Sequence, residues 1–160
     1  MNNLVEVQDA TMREVLSDFC PRFAPKGRTV WISENNSEPI YASTNWLRRS
    51  HFSRGVLDLL PNVVILDATC HRLWLIDVMT LGRQMTPQRR ATLLQTLRRS
   101  RGYPLFVSAL RDRRQFHRLL ADCPWGTIAW FANHPGHLVH FDDDPRSALL
   151  ARGLDRAASR

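Results

Sequence analysis

Residues 60–80 read LPNVVILDATCHRLWLIDVMT, and this stretch decides the fold. Residues 62–67 (NVVILD) are an almost unbroken run of β-branched and apolar side chains, as expected of a central strand covered on both faces. Residues 73–79 (LWLIDVM) repeat the pattern after a short polar break, close enough to pair with the first as an antiparallel hairpin. With the turn centred between Thr69 and Cys70, residues whose numbers sum to 139 stand opposite each other, so that Asn62 faces Asp77 and Asp67 faces Arg72. Directly opposed residues hold their Cβ atoms about 4.5–5.5 Å apart, a separation at which one divalent cation touches both Asn62 and Asp77. Asp67 beside Arg72 reads as a structural ion-pair member. Asn62 and Asp77 also fit a plainer role as strand-end polar residues, and the hairpin alone leaves both readings open.

Working outward, residues 9–19 carry Met12, Val15, Leu16 and Phe19 at helical spacing, with Pro21 as the expected stop. Residues 28–33 (RTVWIS) read as a strand, and residues 45–49 and 53–59 as short helical pieces. Thr86 caps a helix with Pro87 at its first position. Leu93, Leu94 and Leu97 form that helix's buried stripe, and Gly102 is its expected end. Residues 105–109 form a third strand of the central region, and residues 112–121 a helix with Phe116, Leu119 and Leu120 inward. Residues 127–132 and 137–141 form two more strands, and residues 145–158 a tail helix. The order predicts an α/β protein with a mixed β-sheet flanked by α-helices. The expected division is an N-terminal helix over 1–22, the sheet domain over 23–142 and a helical tail over 143–160.

The chain has 160 residues, enough for one domain with a substantial core, and is 44% hydrophobic and 23% charged. No stretch approaches the apolar length of a membrane span, and the first residues show neither a basic leader nor an apolar block, so a cytoplasmic location is expected. Cys20, Cys70 and Cys123 are odd in number and lack zinc or redox spacing, which predicts reduced, mostly buried thiols. Net charge is +7 and the pI about 10.6, which suits a polyanionic partner. Lys26 is the only lysine. Arginine forks match phosphates and guanine edges, although arginine runs are also common on solvated helix faces.

Several short motifs in the same order resemble the catalytic region of BsuBI/PstI-type restriction endonucleases, from about Phe23 to Asp142. FAPKGRTVWIS is similar to that family's Phe-Ala-Pro-Gly opening strand. LPNVVILD and LWLIDVMT resemble its Leu-Pro-Asp strand and the Glu-Ala-Val-Thr strand after it. TPQRR resembles a Ser-Pro-Lys-Arg helix start, and LFVSALRDRRQFHRLL a Val-Thr-Ala-Phe strand followed by an Asp-Arg helix. PWGTIAW and ANHPGHLVHF resemble a Trp-Glu-Thr-Glu-Val-Trp strand and its Pro-Asp-His-Met-Ile-His-Phe close.

The resemblance implies a restriction-endonuclease-like PD-(D/E)XK fold, double-stranded DNA as partner, a homodimer or a partner protein, and Mg²⁺-dependent phosphodiester hydrolysis in defence against foreign DNA. It makes Asp77 the main metal ligand and Asn62 a weaker one, with Arg83 or Arg89 stabilising the phosphate in place of the usual lysine. Arg48, Arg49, Arg54, Arg90, Arg98, Arg99, His137 and His140 become candidate DNA contacts, with Arg101, Arg111, Arg113, Arg114 and Arg118 in the same helical runs. His134, His137 and His140 also allow a zinc reading, though His137 and His140 point to opposite faces of a strand. Trp125 and Trp130 read as core. The departures fall on the metal motif. Asn62 stands where the family has its first acid, Asp77 is shorter than the second, and Met79 occupies the position of a lysine. Gly126 replaces a glutamate. Two carboxylates about 5 Å apart repel by roughly 3 kcal/mol at an effective dielectric of 20. Asn62 removes that repulsion together with a charge that attracts the metal, so a non-catalytic descendant that binds DNA or a partner stands beside the nuclease reading.

Overall fold

A computed structural model of the chain describes residues 6–35 and 38–141; the expected tail helix lies outside them. In chain order the elements are α1 (Ala10–Glu14), α2 (Cys20–Phe23), β1 (Arg28–Ile32), β2 (Tyr41–Ala42), α3 (Thr44–Ser50) and α4 (Arg54–Leu57). There follow β3 (Val63–Asp67), β4 (Arg72–Val78), α5 (Pro87–Thr96), β5 (Tyr103–Leu110), α6 (Arg113–Leu119), β6 (Thr127–Phe131) and β7 (Leu138–Phe141).

The β3–β4 hairpin has the register read from the sequence, with Val63 opposite Ile76 and Asp67 opposite Arg72. Asp67 also closes the turn, its Oδ1 accepting from the Thr69 and Cys70 amides at 3.0 and 3.1 Å. The strands join one mixed sheet in the order β2-β1-β3-β4-β5-β6-β7. The β4–β5 and β5–β6 pairs are parallel, and α5 and α6 make the crossovers such pairs require.

Strand alternation sorts the core into two layers. Val63, Ile65, Trp74, Ile76 and Val78 face the N-terminal helical segment. Val64, Leu73 and Leu75 face α3 and α5 and meet Trp46, Leu93 and Leu97. Asp77 has the parity of Leu73 and Leu75, which sends its side chain to the α5 layer. On the other layer Phe19 sets its ring edge-on against Trp74 and Trp130, with centroids 5.3 and 5.6 Å away.

Four expectations are corrected. Pro21 does not stop the first helix. Residues Val15–Phe19 widen into a π-helical turn in which Cys20 N–H reaches back to Val15 O, and the looser ladder admits the proline ring, so helix continues through α2. The two-residue edge strand β2 had no pattern long enough to read. Leu120 is 44% and Trp125 74% exposed, because α6 gives way after Leu119 to a 3₁₀ turn that rotates the chain off its buried face. Gly102 lies beyond the helix end, in the turn entering β5, at φ +111. A Cβ there would stand 2.9 Å from the Arg72 carbonyl carbon, so glycine is what lets residues 99–102 press against the hairpin.

No helix among the described residues is long and apolar enough to cross a membrane. The three cysteines are unbridged and partly buried.

Two measurements follow. Gly102→Ala is expected to cost about 1–3 kcal/mol in urea unfolding, through backbone strain and the close approach. Burial raises the Cys20 thiol to about 12, so at pH 8 its thiolate fraction is roughly one in ten thousand. Iodoacetamide at that pH should spare Cys20 in the folded protein and label it after denaturation.

Candidate active site

The site is built where β4 ends and α5 begins. Thr86 accepts the Arg89 amide on its Oγ1 at 3.1 Å, and Pro87 opens the helix. Arg89 precedes Leu93 by four residues and Leu97 by eight, so it lies on the helix's buried stripe and its guanidinium points at the sheet. There it meets Asp77 in a two-pronged ion pair, Nη1 to Oδ2 at 2.6 Å and Nη2 to Oδ1 at 2.8 Å. Two further donors are used as well: Nε bonds Leu59 O at 3.0 Å, and Nη1 also reaches Gln84 O at 3.4 Å. The Asp77 side chain is 0% and that of Arg89 11% exposed.

Burial pushes the Asp77 carboxyl above its ordinary range, and the Arg89 hydrogen bonds and charge, with the charge of Arg83, pull it back. Arg83 donates to the Asp58 carbonyl. Burial and then the like charge of Arg89 lower its basicity, against the attraction of Asp77 and Asp58.

Asn62 sits just ahead of β3, fully buried. Its Oδ1 accepts Val78 N–H at 2.8 Å, and its Nδ2 donates to Ser33 O at 2.9 Å. Ser33 N–H returns a bond to Asn62 O at 2.8 Å. The side-chain amide thus ties the ends of β1, β3 and β4 together.

These residues do not fit a divalent cation as arranged. Both carboxylate oxygens of Asp77 are held by Arg89, and the Asn62 oxygen is held by the backbone. Met79, buried and apolar, offers no charge. Among the described residues no three His, Cys, Asp or Glu side chains come together in a way that could hold a metal ion.

The candidate DNA residues do not form one patch. Arg48, Arg49 and Arg54 are exposed on α3 and at the start of α4, and Arg98 and Arg99 on the 3₁₀ turn after α5. Arg49 and Arg99 share a cavity with Arg28 and Arg101. Arg90 lays its guanidinium over the Phe106 ring, 5.1 Å from the centroid, in the space a side chain at Gly126 would occupy. It also lines an open cleft of about 730 Å³ with Gln84, Thr86 and Trp125. His137 is exposed before β7, its ring 6.5 Å from that of His134, and His140 is half-buried opposite Ile128. Sequence reasoning missed Ser33 and the Leu59 carbonyl as partners of the site, because both act through backbone atoms. The four- and eight-residue spacing of Arg89 to Leu93 and Leu97 was the available sign that Arg89 turns inward.

The sheet, its helices and this site define a restriction-endonuclease-like domain. The chain belongs to the BsuBI/PstI restriction endonuclease domain family, whose profile matches residues 7–144. It is 26% identical over 131 residues to the type II restriction enzyme BsuBI of Bacillus subtilis, covering 82% of this chain and 42% of that protein. It is 23% identical over 150 residues to the type II restriction enzyme AplI of Arthrospira platensis, covering 86% of this chain and 44% of that protein. The solved structure of the SdaI restriction endonuclease has the same fold, with a TM-score of 0.69 at 21% identity, over 84% of this chain and 42% of that one. The chain therefore spans less than half the length of these relatives.

Removing one partner of a buried ion pair leaves a bare charge and costs about 3–5 kcal/mol. Arg89→Met and Asp77→Leu should each lower stability on that scale. The double substitution should recover most of the loss, as read by a double-mutant cycle of urea midpoints.

Proposed function

We propose that this chain is a duplex-DNA-binding module of the restriction-endonuclease fold whose hydrolytic centre is closed by Arg89. The observation that carries this reading is the two-pronged Arg89–Asp77 pair, which engages both carboxylate oxygens and sets a guanidinium charge against the approach of a metal. Family membership, the net charge of +7 and the exposed arginines support DNA as the partner. The cleft beside the pair supports the approach of a strand there: Arg90 lines it, and Trp125 offers an exposed aromatic face. Action in the cytoplasm, on palindromic duplexes as a homodimer or with a partner protein, accords with what BsuBI/PstI-type relatives imply.

A second reading, Mg²⁺-dependent cleavage of duplex DNA, has one observation in its favour: an acidic side chain is kept at the end of β4. It requires Arg89 to release Asp77 when DNA and metal arrive. Asp77 would then be the main ligand and Asn62 a weak one, while Arg89 or Arg83 would move to the phosphate.

Incubation with mixed-sequence plasmid and linear duplex in Mg²⁺ or Mn²⁺ separates the two. The module should retard duplex DNA, lose at least about tenfold in affinity between about 50 and 200 mM salt, and leave the DNA intact. Asn62→Asp should leave it intact too, since the new carboxylate does not free Asp77. Discrete fragments from the wild type, abolished by Asp77→Ala, would establish the nuclease instead.

A further inference from the structure

The end of the sheet away from Asp77 carries a cavity of about 370 Å³. Arg28 from β1, Arg49 from α3, and Arg99 and Arg101 from the turn after α5 line it. Their segments meet for definite reasons. Ser43 N–H bonds Val30 O at 2.8 Å and holds the start of α3 against β1. Gly102, pressed on the Arg72 carbonyl, brings residues 99–101 to the same place. Leu66, also in the lining, is four residues along the chain from Asn62, about 14 Å at about 3.4 Å per residue. The cavity is separate from the Asp77–Arg89 site.

Four exposed arginines share this lining. Among the described residues no aspartate or glutamate lines the cavity, and none of the four guanidinium groups has a hydrogen-bond or ion-pair partner. A concave surface of one sign concentrates its field on whatever enters, so an anion with several oxygens is the matching ligand. Two aromatic residues share the lining: Trp46, braced edge-on against Phe52 at 5.2 Å, and Tyr41. The volume lies near the lower end of the range for small-molecule pockets. As a cube it is roughly 7 Å on a side, whereas the major groove of a duplex is about 12 Å wide. Duplex DNA can pass over such a mouth but cannot enter it.

We infer that this cavity binds a nucleoside phosphate, its phosphates held by Arg28, Arg49, Arg99 and Arg101 and its base set against Trp46 and Tyr41. The inference does not depend on whether the module cuts DNA.

Isothermal titration calorimetry with ADP, and separately with inorganic pyrophosphate, tests it. Arg49→Glu/Arg99→Glu is compared with Arg113→Glu/Arg114→Glu, an equal change of charge at exposed positions on α6. Thermal melts establish that both variants are folded. ADP should bind the wild type at one site and more tightly than pyrophosphate by at least about threefold. The cavity pair should weaken ADP at least about tenfold and the α6 pair by less than about twofold. Absence of ADP binding, or equal losses in the two pairs, would overturn the site. Equal affinity for ADP and pyrophosphate would overturn the base pocket. Weakened duplex retardation in the cavity pair without any ADP binding would make the arginines contacts to a DNA backbone and would also sink the proposal.

Discussion

Asp77 carries a carboxylate with no exposed surface at the end of a central strand, and the surrounding structure is arranged around that charge. The effective cost of taking such an ion out of water is several kcal/mol, recovered only when its partner fits closely and the leftover hydrogen-bonding capacity is used. Arg89 answers these demands with two short bonds to the carboxylate and two further donors on the Leu59 and Gln84 carbonyls. One guanidinium thereby fastens the start of α5 and the segment before β3 to the sheet. A cation at a helix N-terminus is opposed by the helix dipole, so the carboxylate is also what makes this placement of Arg89 tolerable.

The neutral residue at position 62 and the arginine at 89 belong to one charge balance. With Asn62 in place of an acid, the buried site holds a single negative charge, and one guanidinium neutralises it. A second acid would add a repulsion of roughly 3 kcal/mol and call for more positive charge than Arg89 brings. A divalent cation entering the present arrangement would leave an excess of two positive charges, unless Arg89 swung out and took its own charge to a phosphate. Asn62 meanwhile pins three strand ends through its amide.

The two ends of the sheet consequently present different surfaces. One end is sealed by a neutralised ion pair beside an open cleft lined by Arg90 and Trp125. The other gathers four arginines, with no acid beside them among the described residues. Membership in the BsuBI/PstI family accounts for the fold, whose strand β4 carries Asp77 at the first of these ends.

Local pattern was enough to determine the central hairpin, its register and the start of α5. Alternation fixes which faces of a strand are covered, and a Thr-Pro helix start depends on neighbouring residues alone. That α5 covers the face of β4 from which Asp77 projects was decided by the tertiary structure. Tertiary structure alone decided what Asp77 does there, since a buried carboxylate takes a metal or a guanidinium according to what packs above it. It also decided that Pro21 is absorbed by a π-helical turn and that Trp125 lies outside the core. The meeting of Arg28, Arg49, Arg99 and Arg101 depends on contacts between segments more than twenty residues apart, and no local pattern encodes such contacts.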